Sequence, residues 1–307
     1  WSSDVCSSDL LHSKLNPTVN TIKQPSTVMH SVSSGYRGGD PGTEFLSRTG
    51  EQLNLQNVWE SNLEEEMERL MQASEKYTYV AMDTEFPGVC YPGADESTNI
   101  FEYNILKNNV DKLKIIQLGI TLCTPDGEVV EDCPTWQFNF QFDPKSDESN
   151  KGSLDLLVNS GFDFAEHCAC GIDPVHFSEL LTMSGLVLND KIRWISFHGD
   201  YDFAYLIKLL TGQKLPEKKE EFDRILRIFF PHVFDVKYML KDFNFVNYGL
   251  NKLADQLNIQ RRGIMHQSGS DSRLTAETFF KIRQQYYEGK EESTYDGNLY
   301  GTLDVHK

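Results

Sequence analysis

The sequence predicts an α/β protein in which one mixed β-sheet is covered by helices. Three observations carry this prediction. Strand-like runs crowd between residues 79 and 142, the chain turns mainly helical from residue 153, and a further strand, "KIRWISF", returns among those helices. At 307 residues and 39% hydrophobic content, the chain has apolar mass for one main core.

Residues 1–54 are rich in Ser, Thr, Asn, Gly and Pro and follow neither the helical nor the strand period. Such a segment buries too little surface to offset its ordering entropy, so it is expected to be disordered. Its first ten residues, "WSSDVCSSDL", resemble a translated adapter sequence and carry no inference. The ordered domain is expected over residues 55–302, with 303–307 as a tail.

The first expected helix lies in "SNLEEEMERLMQASEKY". Ser61 with Glu64 three residues on makes a capping-box pattern, and Leu63, Met67, Leu70 and Met71 share one face. "YVAMDTEFPG" opens as a strand. "LKIIQLGITLCT" reads as a second, buried on both faces, and "TWQFNFQF" as a third that alternates, with "PDG" as the turn after the second. Three strands in succession predict a meander. In "GIDPVHFSELLTMSG", Asp173 and Pro174 are placed as N-cap and first helical residue. After "KIRWISF", helices are expected at "DYDFAYLIKLLTG", "EEFDRILRIFF", "GLNKLADQLN" and "SRLTAETFFKIRQQYYEG", with "VFDVKYM" as a short strand or extended piece. No internal repeat is visible.

The 46 acidic residues against 29 basic ones give a formal charge of −17. That balance argues against a polyanionic partner, because phosphate binding rests mostly on Lys and Arg. The N-terminal arm is nearly neutral, so the acidity belongs to the folded part. Six scattered cysteines, Cys6, Cys90, Cys123, Cys133, Cys168 and Cys170, do not make a disulfide scaffold and suit a reducing compartment. No run approaches the roughly 18 apolar residues of a membrane helix, and the N-terminus lacks a basic segment followed by an apolar one. The expectation is a soluble intracellular protein with no membrane partner.

Within the apolar run "YVAMDTEF" stand two acids, Asp83 and Glu85. The strand period puts them on one face, roughly 6.5 Å apart. With no Lys or Arg nearby in sequence they repel, unless a hard divalent cation that prefers oxygen ligands sits between them. The alternative is a strand end carrying two solvated acids. In "SFHGDYDFAYLIKLL", Asp202 falls in the first helical turn beyond a strand's C-terminal end, where such sheets place ligands. Asp200 takes the ordinary role of an acid at a helix N-terminus. In "GIMHQSGSDSRLTAETFF", Gly263 and Gly269 flank His266 in an expected mobile loop, and Asp271 opens the last long helix.

Asp-x-Glu on the first strand, an Asp starting a later helix and His-x-x-x-x-Asp near the end together resemble the signature of the DEDDh exonucleases, whose fold is ribonuclease H-like. The blocks "YVAMDTEFPG", "LKIIQLG", "TWQFNF", "SFHGDYDFAYLIKLLT", "DVKYM" and "HQSGSDSRLT" look like consecutive blocks of the carbon catabolite repressor-associated factor family, poly(A) deadenylases of the Not scaffold complex. The resemblance spans about residues 56–302. It implies Asp83, Glu85, Asp202 and Asp271 as ligands of two divalent ions, Mg²⁺ or Mn²⁺, and His266 as general base. The five-residue interval from His266 to Asp271 fits the His version of the family rather than the Tyr version. Ser268 stands where the family often has Ala, and residues 143–171 match poorly, so nothing is transferred there.

The implied activity is 3′–5′ shortening of the poly(A) tail of mRNA, a single-stranded RNA, with release of 5′-AMP. The implied partners are the Not scaffold subunit and a second, unrelated deadenylase. The implied compartment is the cytoplasm, with the nucleus as a second. The acidity then means modest RNA affinity and reliance on those partners. A DEDDh nuclease of other ends, or a non-catalytic adaptor on the same fold, are the rival readings. Degenerate carboxylates would favour the adaptor, and all five residue types are intact.

Arg261, Arg262 and Lys208 are candidates for phosphate contact, or solvated surface charges. Phe86 either stacks on a terminal base, as aromatics do in single-strand sites, or packs in the core. His198, four residues before Asp202, is expected to orient it or to sit in the core. "HCAC", with His167, Cys168 and Cys170, is tighter than usual zinc spacings and lacks a second pair. Trp59, Trp136 and Trp194 are expected in the core.

Overall fold

The computed structural model describes residues 53–92, 99–129, 135–290 and 293–301. The expectations for the bulk of the N-terminal arm and for the tail, and the cysteines Cys6 and Cys133, lie outside the described residues. Six strands form one sheet: β1 (Leu55–Val58), β2 (Tyr79–Glu85), β3 (Gln117–Cys123), β4 (Thr135–Asn139), β5 (Arg193–Ser196) and β6 (His232–Asp235), in the order β1-β4-β3-β2-β5-β6. β2, β3 and β4 are the expected antiparallel meander, and β1, β5 and β6 join in parallel. The mixed sheet follows from this.

Alternation along β2 sorts its side chains to two faces. Val80 and Met82 enter the larger core with Trp136, Phe138 and Trp194, under α1 (Leu63–Ser74), α2 (Asn99–Lys112), α5 (Pro174–Met183), α6 (Asp200–Thr211) and α7 (Lys219–Phe229). Tyr79 and Ala81 enter the second core, with Leu274, Ala276 and Phe279 of α10 (Ser268–Tyr286) and Leu250 and Leu253 of α9 (Leu250–Gln256). Each fully buried Val, Leu, Met or Phe among them contributes about 1.5–3 kcal/mol. Continuing the alternation, Asp83 and Glu85 face α10 while Thr84 faces α6.

Several local expectations are corrected. Ser61 is not a cap: it lies in a short 3₁₀ turn, Glu60–Asn62, and Asn62 precedes α1, its Oδ1 accepting the Trp59 N–H at 2.8 Å. α2 interrupts the run of strands and was not expected. Its buried Tyr103, Leu106 and Val110 recur at helical spacing, but asparagines interleave them. "VFDVKYM" is half strand: β6 ends at Asp235, whose carboxylate accepts the N–H groups of Lys237 and Tyr238 and so starts a turn of helix, α8 (Val236–Met239). Asp173 does cap α5 ahead of Pro174, accepting from Val175 and His176. Two further helices, α3 (Lys151–Asn159) and α4 (Phe164–Cys170), cover the stretch that precedes it. Trp136 and Trp194 are buried; Trp59 is only partly so. Among the described residues, Cys90, Cys123, Cys168 and Cys170 form no disulfide. Among the described residues, no helix is long and apolar enough to cross a membrane.

Candidate active site

Asp83 and Glu85 sit at the C-terminal end of β2 on the face toward α10. Asp271 meets them from the first turn of α10, and one oxygen from each of the three carboxylates lies within 4.8 Å of the others. All three side chains are buried, to 3%, 2% and 0% exposure, so water does not screen their repulsion. Burial first, and then the charges of Asp271, Asp202 and Glu85, hold the Asp83 carboxyl well above the usual carboxylate range, with Arg261 opposing. Oδ2 of Asp83 and Oδ2 of Asp271 are buried with no hydrogen-bond partner. Each such atom costs about 1–3 kcal/mol when nothing compensates it. The solvated strand end is thereby excluded.

Arg261 is the cation at this site. Its guanidinium donates to Asp271 Oδ1 at 2.5 Å, to Ser270 Oγ at 2.9 Å and to Asn251 Oδ1 at 2.6 Å. One oxygen of Asp271 is thus fixed by Arg261, and the other belongs to the carboxylate group. Arg262 follows it, partly exposed, its carbonyl accepting from Ser270 Oγ at 2.9 Å.

Asp202 approaches from the opposite face, in the first turn of α6. Its Oδ1 accepts the Thr84 N–H at 3.0 Å and the Thr84 hydroxyl at 2.5 Å. It stands outside the group of three, yet its charge contributes to the raised pKa of Asp83. Burial pushes its own carboxyl up to about 7, against the bonds from Thr84. His266 occupies the turn before α10, 5% exposed, with φ at +62°. A left-handed backbone costs a non-glycine residue about 1–2 kcal/mol, so the surroundings hold it there.

That turn is packed rather than the expected loose loop. The side chain of Gln267 accepts from Gln117 and Gln137 at 3.2 and 3.0 Å, and donates to the Ser160 carbonyl at 2.8 Å.

Phe86 takes the core alternative of its two readings, Lys208 takes neither of its own, and His198 stands away from Asp202. Phe86 is 4% exposed and stacks on Tyr201 at 5.1 Å between ring centroids, so it is core and no base can reach its face. Lys208 donates to the carbonyls of Val110 and Leu113 at 2.7 and 2.9 Å, which terminates α2 rather than meeting phosphate. His198 does not orient Asp202. Its Nε2 is 3.9 Å from Asp200 Oδ1, its N–H donates to Asp235 Oδ1 at 2.9 Å, and burial lowers its pKa to about 3. At "HCAC", His167 Nδ1 bonds the Phe140 carbonyl at 2.8 Å while Cys168 and Cys170 are exposed, and no metal-ligand group forms among the described residues there.

Sequence reasoning missed Thr84, Gln117, Gly119 and Gln137. A signal existed for two of them: a Gln and a Gly inside the apolar run "KIIQLGI" need a reason to be there.

The family model described as CAF1 family ribonuclease matches residues 58–179 and 175–297. Poly(A) ribonuclease pop2 of Schizosaccharomyces pombe is 45% identical over 249 residues, which cover 80% of this chain and 74% of pop2. The solved structure of S. pombe Pop2p in its Mg²⁺- and Mn²⁺-bound form is similar with a TM-score of 0.78 at 45% identity, over 81% of this chain and 99% of that one. A chain in the structure of the yeast NOT1 MIF4G domain co-crystallized with CAF1 gives 0.69 at 32% identity, over 80% and 96%. By the family model that spans residues 58–297 and by a relative 45% identical over 80% of this sequence, the chain belongs to the CAF1 family of ribonucleases.

Proposed function

We propose that this ribonuclease is a poly(A)-specific 3′–5′ exoribonuclease, the catalytic subunit of a Not deadenylase complex that also holds a second, unrelated deadenylase. The observation that carries the chemistry is the meeting of Asp83, Glu85 and Asp271 in a buried, mutually repelling group. Buried carboxylates with partnerless oxygens suit hard divalent cations. Mg²⁺ and Mn²⁺ fit that donor set, and both are bound in the related Pop2p.

In this reading Asp83, Glu85 and Asp271 would hold the ions, and Asp202, whose Oδ1 here accepts from Thr84, would be the fourth ligand. When bound, the two ions supply Lewis-acid stabilisation of the attacking and leaving oxygens. His266 accepts the proton of the attacking water, worth about 10²- to 10⁴-fold in rate. The water oxygen forms its bond to the terminal phosphorus, the bond from phosphorus to the 3′ oxygen breaks, and that oxygen leaves with the bonding pair and takes a proton from solvent water to become the 3′ hydroxyl of the shortened chain. The product is 5′-AMP. Arg261 holds Asp271 in place, and Arg262 is the candidate for phosphate contact. Poly(A) as substrate and the Not scaffold as partner rest on the relatives: pop2 is named a poly(A) ribonuclease, and CAF1 of yeast is seen with NOT1.

The test is a ladder assay on 5′-labelled RNA ending in oligo(A), run beside oligo(U) and single-stranded DNA, with and without chelator. Stepwise shortening of the oligo(A) substrate alone, lost on chelation, is expected. Equal action on all three would replace poly(A) specificity by a general DEDDh nuclease, and internal cuts would refute the exonuclease.

A further inference from the structure

The first turn of α10 carries Asp271, and nothing in its own sequence caps it. Gln267 stands at the N-cap position with no side-chain bond to the helix, so the first N–H groups need acceptors from elsewhere. Two strands supply them. Gln117 Oε1 on β3 accepts the Ser268 N–H at 2.9 Å and the Ser268 hydroxyl at 3.0 Å, and Gln137 Oε1 on β4 accepts the Gly269 N–H at 3.1 Å. A backbone N–H can only donate, so both amide oxygens must face the helix. Their Nε2 groups then turn to Gln267 Oε1, and Gln117 Nε2 also to Asn139 Oδ1 at 2.8 Å. The helix end therefore rests on a fork of neutral amides.

Between the two glutamines lies Gly119, paired across the sheet with Gln137 on one side and with Asp83 on the other. A Cβ there would stand 2.0 Å from the Ser268 carbonyl oxygen, 2.2 Å from its carbonyl carbon and 2.5 Å from the Gly269 nitrogen. All three are backbone atoms, so the helix end itself would have to move. Glycine is required here for close approach, not for an unusual backbone. Asp271, three residues beyond Ser268 on the same turn, would move with it.

We propose that Gln117, Gly119 and Gln137 form a docking platform that sets how closely Asp271 stands to Asp83 and Glu85, and thereby sets the site's affinity for divalent cations. The platform rests on the metal-site reading above. Three carboxylates brought together without a cation repel, and the ion pair from Arg261 fixes only one oxygen of Asp271; the seat of the helix end itself rests on contacts that carry no charge. The two amides and the bare Cα supply such contacts. They are positioning residues: none touches the reacting atoms, and each acts through Asp271.

The experiment uses the full chain and Mn²⁺ as probe. Mn²⁺ affinity is measured by calorimetry for the unsubstituted protein, Gly119→Ala, Gln117→Leu and Gln137→Leu, well below their melting transitions in chelator. Loss of an outer partner of a metal ligand typically weakens affinity by about 10- to 100-fold, and that weakening is expected for Gly119→Ala, Gln117→Leu and Gln137→Leu, with ribonuclease activity recovering as Mn²⁺ is raised. Should Gly119→Ala fail to fold, the two glutamine variants decide the matter. A lower melting temperature with unchanged Mn²⁺ affinity in the folded variants would overturn the platform and leave a merely structural role. Failure of the unsubstituted chain to bind Mn²⁺ would instead overturn the metal-site reading, and the platform with it.

Discussion

Arg261 and Asp271 are joined through Nη2 and Oδ1 at 2.5 Å, while the other oxygen of Asp271 is buried without a hydrogen-bond partner. The arginine neutralises one side of a carboxylate whose other side belongs to the cluster. Arg261→Met keeps the stem and removes the fork. Activity is expected to fall about 10- to 100-fold and to need more metal for half-maximal rate. A titration of rate against Mn²⁺ measures both, and an unchanged midpoint would restrict Arg261 to RNA contact.

Asp83→Asn removes a buried charge that Asp271, Asp202 and Glu85 all repel. Activity should fall by more than about 10²-fold. Stability in chelator should rise by about 1 kcal/mol, the usual sign when a strained site is relieved. Denaturant melts with chelator present, beside the rate, check the pair of signs; a less stable variant would mean the carboxylate is compensated without metal.

The metal-free protein should lose stability at this site as pH rises. Burial raises the folded-state carboxyls of Asp83, and of Asp202 to about 7, above their unfolded value. The native state then binds more protons than the unfolded chain between about pH 4 and about pH 7, and unfolding free energy declines with pH across that window. The contribution of Asp202 is present below about pH 4 and gone above about pH 7, and that of Asp83 is lost in the same direction as pH rises. Comparing melting temperatures of the chain and Asp202→Asn in chelator isolates the effect. The chain should fall further behind the variant as pH rises, and the gain from added Mn²⁺ should grow in the same direction. A constant difference would contradict the raised carboxyl.

Lys208 ends α2 by donating to the Val110 and Leu113 carbonyls. Lys208→Met leaves those acceptors unsatisfied and is expected to cost about 2 kcal/mol, with KM for RNA unchanged. A rise in KM at unchanged stability would return this residue to the substrate.

The motif acids were legible because each lies in a short local pattern: two on one strand, one at a strand end, and a His five residues before the last Asp. The meander was legible too, from three apolar runs with turn residues between the second and third. β1 was not, since "LQNV" has little strand character of its own and is a strand only because β4 pairs with it across most of a hundred residues. α2 was hidden by Asn104, Asn108 and Asn109, although Asn109 is fully buried and binds the backbone of Cys90 and Tyr91. Gln117 and Gln137 depend on a register between strands and on a helix 130 to 151 residues away, as the hydrogen bonds to residues 267–269 show. No local pattern encodes that meeting. Lys208 misled for the same reason: a lysine beside a motif in sequence need not face the same side in space.

The central claim is that Asp202 joins Asp83, Glu85 and Asp271 around a pair of divalent ions. Anomalous diffraction from crystals grown with Mn²⁺ measures it most directly. Two peaks about 3.5–4 Å apart, with the Asp202 carboxylate released from Thr84 and within coordination distance, is the predicted result. No peak among these four side chains, or ions bound while Asp202 still holds its bond from Thr84, would contradict it.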